Sequence, residues 1–126
     1  MNYDYENINN YKTPRFPYGV NEVITFSRSE IAHVDISVQN IGDKKRPKDR
    51  IRIYIRLRTD SYFYAWFENK EQAIDAMKII DKTTSSRIAL INTNGNDEDD
   101  CRIRRDYIVE VGSEPYYEAI EQLKIK

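Results

Sequence analysis

Residues 50–58 read Arg50-Ile51-Arg52-Ile53-Tyr54-Ile55-Arg56-Leu57-Arg58, an alternation of apolar with cationic or aromatic side chains that holds without a break. Successive side chains on a strand point to opposite faces, so Ile51, Ile53, Ile55 and Leu57 line one side and Arg50, Arg52, Tyr54, Arg56 and Arg58 the other. The β-branched residues favour extended backbone, and four aligned aliphatics can bury one face of a sheet while the arginines stay in water. Residues 61–67, SYFYAWF, are aromatic enough to form the returning strand of a hairpin that turns at Thr59–Ser61. Register then decides the chemistry. A two-residue loop puts Phe63, Ala65 and Phe67 on the arginine face, whereas a three-residue loop or a bulge puts Tyr62, Tyr64 and Trp66 there. The second arrangement is expected, because it buries both phenylalanines beside the isoleucines and because the loop lacks the glycine of a tight primed turn.

Upstream, within Glu22 to Asn40, the even positions Ile24, Phe26, Ala32, Val34, Ile36 and Val38 are apolar, their run broken only at Arg28 and Glu30, which predicts two strands with a turn or bulge at Ser27–Glu30. Ile41–Asp49 is a polar loop containing Gly42 and Pro47. Residues 1–21 show neither period and read as an irregular arm; its Tyr3, Tyr5, Tyr11, Phe16 and Tyr18 call for a docking surface, on the parent domain or on a second subunit. Downstream, Asn69 with Gln72 starts a helix in which Ala73, Met77 and Ile80 recur at helical spacing as far as Lys82. Arg87–Asn92 and Arg102–Val111 are expected strands joined through an acidic loop, and Ser113 caps a last helix with Pro115 in its first turn and Tyr116, Ala119, Ile120 and Leu123 in one stripe. The fold class is therefore α+β: an antiparallel sheet with two helices, order β-β-β-β-α-β-β-α, in a single domain spanning residues 22–126 behind the arm of residues 1–21.

At 126 residues the chain has room for one core. No apolar run reaches the roughly 18–20 residues that span a bilayer, and Met1 opens a polar stretch, so no membrane association and a cytoplasmic location are expected. One cysteine closes no intrachain disulfide, which suits a reducing compartment. The net charge of −1 hides segregation: Lys44 to Arg58 carries eight cations against Asp49 alone, and Asp97, Glu98, Asp99 and Asp100 are consecutive anions.

Catalytic chemistry has thin support. His33 is the only histidine, and Asp35 lies on the same strand face, within reach to orient the imidazole. Ser37 shares that face, but three side chains in line on one strand project in parallel, where a catalytic triad requires convergence. An exposed polar cluster is the plainer reading. Cys101 has no neighbouring base or co-ligand. The stretch Asn92–Asp100 is rich in oxygen ligands, yet position 12 counted from Asn92 is Ile103 where a calcium loop needs glutamate. No phosphate-cradling glycine loop is present. The expectation is a non-catalytic protein with no cofactor and no metal.

What remains is the arginine and tyrosine ladder. Guanidinium groups two residues apart repeat every ~6.6–7 Å, near the phosphate spacing of an extended nucleic acid strand. Tyrosines between them can stack on bases. Arg52, Tyr54, Arg56, Arg58, Tyr62 and Tyr64 are the expected ligand-binding residues, and the expected partner is an anionic ligand, nucleic acid or nucleotide. The alternative is a protein partner, met through the same face or the arm, since Arg and Tyr also dominate protein interfaces. That alternative is a protein-directed inhibitor or adaptor, for example a phage-encoded anti-defence protein; heavy use of Asn, Ile, Lys and Tyr fits an AT-rich genome, and small lone domains without catalytic groups are common in phage and mobile elements. The aromatic arm and an edge strand both invite a homodimer.

Overall fold

A computed structural model describes residues 16, 19–40, 48–82, 87–93 and 105–125 of the chain. Along these residues run β1 (Val20–Ser27), a 3-10 turn (Arg28–Glu30), β2 (Ile31–Asn40), β3 (Asp49–Leu57), β4 (Tyr62–Phe67), α1 (Lys70–Lys82), β5 (Arg87–Thr93), β6 (Tyr107–Glu110) and α2 (Glu114–Ile125). The order is the α+β order expected from the sequence. The strands divide between two antiparallel sheets, β1-β5-β6 and β2-β3-β4, a split that the alternation of residues 22–40 does not announce, since it marks a turn at Arg28 and Glu30 but no change of sheet.

The 3-10 turn is where the chain changes sheets, and Glu30 fixes it. Its Oε2 accepts the Ser27 amide at 2.6 Å and the Ser27 hydroxyl at 3.2 Å, and its carbonyl accepts the Arg58 amide at 2.9 Å. The bond from the Ser27 amide, then that from the hydroxyl, holds the Glu30 carboxyl below its ordinary pKa.

The β3–β4 hairpin closes through three residues. The Leu57 amide donates to the Ser61 carbonyl at 2.8 Å and the Asp60 amide to the Leu57 carbonyl at 2.9 Å, with Asp60 in the left-handed region at φ 71°. Asp tolerates that conformation better than a bulky side chain does, which suits a loop without glycine.

One core fills the space between the sheets. Phe26, Ile88 and Leu90 from the first sheet meet Ile53, Ile55 and Phe67 from the second, and Ala73, Ala76 and Ile80 of α1 pack on the same cluster. Each fully buried isoleucine there contributes about 1.5–3 kcal/mol. In α1, Asn69 Oδ1 accepts the Gln72 amide and Gln72 Oε1 accepts the Glu68 amide, both at 3.0 Å, so the capping pair reaches one residue further back than the Asn69–Gln72 spacing suggests. The other face of β1-β5-β6 is covered by α2: Ile91 and Val20 pack with Ala119 and Phe16, and the Phe16 ring stands edge-on to Tyr107 at 5.0 Å. Phe16 thus docks on its own domain, and β1 begins at Val20, inside the segment that reads as an arm. With both faces covered, β5 is buried from Ile88 to Thr93.

Two expectations need correction. Of the strand expected over Arg102–Val111, residues 102–104 lie outside the described residues, and the described part is extended only from Tyr107 to Glu110, because the Asp106 side chain turns inward to bind backbone amides. Arg50, expected on the wet face, is 2% exposed. The rest of the arm apart from Phe16 and residues 19–21, the basic residues Lys44, Lys45 and Arg46, the acidic run and Cys101 lie outside the described residues.

Candidate functional site

The outer face of β2-β3-β4 carries the ladder. Strand pairing sets Arg52 opposite Trp66, Tyr54 opposite Tyr64 and Arg56 opposite Tyr62, the register that a three-residue loop gives. On the other side of β3, Ser37 stands opposite Arg52, Asp35 opposite Tyr54 and His33 opposite Arg56. Three rows of three result, and none contains an aliphatic residue.

The rings form one cluster. Tyr54 lies 5.4 Å from Tyr64 and 6.0 Å from Tyr62, and Tyr62 and Tyr64 are 5.8 Å apart. Tyr62 is 58% exposed, so its ring already stands in solvent. Mutual contact limits rotamer freedom, which lowers the entropy lost when a flat ligand settles on the cluster.

The four arginines are placed differently. The Arg52 guanidinium lies 4.7 Å from the Tyr64 ring and 5.9 Å from the Trp66 ring, which fixes it by cation–π contact. Its Nε is buried and has no hydrogen-bond partner among the described residues. Arg56 Nη1 meets Asp60 Oδ1 at 3.5 Å, a pair in which both side chains are well exposed and which is therefore weak and easily exchanged. Arg58 follows the end of β3, in the turn, where its Nε donates to the Ser29 carbonyl at 2.9 Å. Arg50 is closed in by its neighbours: its Nε reaches the Phe67 carbonyl at 3.5 Å, burial pushes its pKa down, and Glu68 and Asp106 pull it back. The ladder thus offers two guanidinium groups, Arg52 and Arg56, on either side of Tyr54.

His33 Nε2 and Asp35 Oδ2 are 3.0 Å apart at the rim of the same face, both about half exposed. The Ser37 hydroxyl accepts from Gln39 Nε2 at 2.9 Å. Among the described residues, no group of three His, Cys, Asp or Glu side chains could hold a metal ion. Four residues of the face lie outside the expected binding set: Trp66, His33, Asp35 and Ser37. Trp66 is the platform for Arg52, and the aromatic register already signalled its side. His33 and Asp35 join only through β2–β3 pairing, which no local pattern reports.

Elsewhere, the described residues form two further concave surfaces. A groove of about 410 Å³ runs between α1 and the start of β6, with Gln72, Asp75, Lys78, Arg105 and Tyr107 in its wall. An apolar one of about 290 Å³ sits between β2 and α1, lined by Ile36, Val38, Ile51, Ala73 and Ile74. No helix among the described residues is long and apolar enough to cross a membrane. Compared with known proteins, the chain matches no family model, no curated protein and no solved structure.

Proposed function

We propose that this protein is a non-catalytic binding module that holds single-stranded nucleic acid on the outer face of β2-β3-β4. Bases stack on Tyr62, Tyr64 and Tyr54, and phosphates meet Arg52 and Arg56. The observation that carries the reading is the composition of the face: three mutually contacting tyrosines, of which Tyr62 and Tyr64 are exposed, flanked by the guanidinium groups of Arg52 and Arg56. Stacking serves any base, and guanidinium groups suit phosphate oxygens in bidentate geometry. Protein interfaces usually centre on apolar side chains, and here the exposed aliphatics Ile36, Val38 and Ile74 lie away from this face. Arg58 adds charge from the turn beside Arg56. A cytoplasmic location follows the same reading, as nucleic acid and a lone cysteine are both at home there.

Fluorescence anisotropy with a labelled oligonucleotide tests this. Tyr62→Ala together with Tyr64→Ala should weaken binding at least tenfold, since base stacking on an aromatic ring is worth about 1–3 kcal/mol per base. Absence of binding at low salt by the folded wild-type chain would turn the face over to a protein partner, with Tyr62 and Arg52 as its anchors.

A further inference from the structure

β2 is the outer strand of its sheet: β3 pairs with one edge, and no described strand pairs with the other. It is ten residues long, Ile31–Asn40, with Asp35 as its one formal charge and neither lysine nor proline; its bulge is confined to the start, between Ile31 and His33. Edge strands are normally protected by lysines, prolines, bulges or inward charges, because open amides and carbonyls pair with any strand that arrives. Among the described residues, none of these protections covers residues 34–40. The core-side residues of this stretch are also uncovered, with Ile36 48% and Val38 57% exposed, and Ile74 on the neighbouring flank of α1 is 50% exposed. Together they line the apolar groove between β2 and α1. A helix lying on a three-stranded sheet leaves its flank bare on the side where a fourth strand would lie.

We propose that the fourth strand is β2 of a second copy of this chain, added antiparallel about a two-fold axis normal to the sheet. The strand is complementary to itself. A two-fold axis through Ile36 sets Ile36 against Ile36 of the second copy, Val34 against Val38, Asp35 against Ser37 and His33 against Gln39. Both exposed aliphatics meet aliphatics, and each carboxylate meets a hydroxyl. Moving the axis to Asp35 sets two carboxylates opposite each other, which is unfavourable. The axis through Ile36 passes beside the apolar groove, so the two Ile74 side chains approach the seam from either helix and close it. A six-stranded sheet results, with both Tyr/Arg faces on the same side and the two β3 strands about 14 Å apart. This inference stands apart from the proposed ligand, since it uses the edge and the core side of β2.

Sedimentation velocity or light scattering on the purified full chain, from about 1 to 200 μM, is the test. The expected mass is twice the 15.0 kDa of one chain. Ile36→Lys or, more exposed and so safer for folding, Val38→Lys should return it to one chain, with the circular dichroism spectrum unchanged. Tyr117→Lys, an equal change on the exposed side of α2, should leave the mass doubled. A wild-type mass of one chain at 200 μM overturns the proposal, even if hydrogen exchange finds the β2 amides protected, because the edge is then covered from within. A doubled mass that survives both lysine variants overturns it too.

Discussion

Trp66 and Asp106 are joined by two hydrogen bonds: the Trp66 amide donates to Asp106 Oδ2 at 2.9 Å, and the Asp106 amide donates to the Trp66 carbonyl at 3.0 Å. Asp106 Oδ1 also accepts the Thr93 amide at 3.4 Å, and the Thr93 hydroxyl donates to the Arg105 carbonyl. One buried side chain thereby ties β4 of one sheet to the end of β5 in the other. Asp106→Ala should destabilise the fold by about 2–4 kcal/mol, since it strands two buried amides and removes charged acceptors. Urea unfolding measures this, and a loss below about 0.5 kcal/mol would show that the clamp is dispensable.

Arg50 and Arg52 are two residues apart on one strand face, yet only Arg52 is offered to a ligand. Arg50→Ala should lower stability by about 2–3 kcal/mol, because it leaves a gap at a fully buried site and takes a cation from beside Glu68 and Asp106. Arg52→Ala should cost under about 1 kcal/mol of stability while weakening oligonucleotide binding roughly tenfold. Equal loss of stability in the two variants would place Arg52 among the structural arginines and leave the binding face with Arg56 alone.

That difference marks how far the sequence could be read. The alternation of residues 50–58 specifies the strand and its two faces because a period of two has no helical counterpart. Burial of the phenylalanines specifies the register with Tyr62 and Tyr64. Nothing local distinguishes Arg50 from Arg52, however, since the groups that enclose Arg50 come from the end of β4 and from Asp106, far along the chain. The same holds for the sheet switch at Ser27: Arg28 and Glu30 mark a turn, but the even-numbered apolar positions resume after it in the same phase, as though one sheet continued. Asp106 reads as an ordinary polar residue in a strand, and only its contacts with Trp66 and Thr93 show why that strand starts one residue later.

Glu30 gives the turn between the sheets a pH dependence. Its carboxyl has a folded pKa below the ordinary carboxylate value, so it stabilises the fold fully above about pH 4.3, the usual unfolded value, and this contribution disappears as pH falls through the lower folded value. The melting temperature of the wild type should therefore exceed that of Glu30→Gln at pH 7, and the gap should close in strong acid. A gap that stays constant across that range would mean that the Ser27 bonds do not depend on charge.

Asp60 competes with any phosphate for Arg56. Both side chains are exposed and the pair is loose at 3.5 Å, so a ligand oxyanion can displace the carboxylate at little cost. Asp60→Asn should then strengthen oligonucleotide binding, by about two- to fivefold at low salt, and its advantage should shrink as salt screens the site. Arg56→Ala should weaken binding and reduce the slope of log affinity against log salt by about one, the signature of a single lost phosphate contact. The φ of 71° at Asp60 is one that Asn adopts at least as readily, so Asp60→Asn leaves the hairpin register intact and its effect reports charge alone. If Asp60→Asn binds no better while Arg56→Ala keeps the full salt slope, phosphates do not reach Arg56, and the stacking surface must act with Arg52 as its only cation.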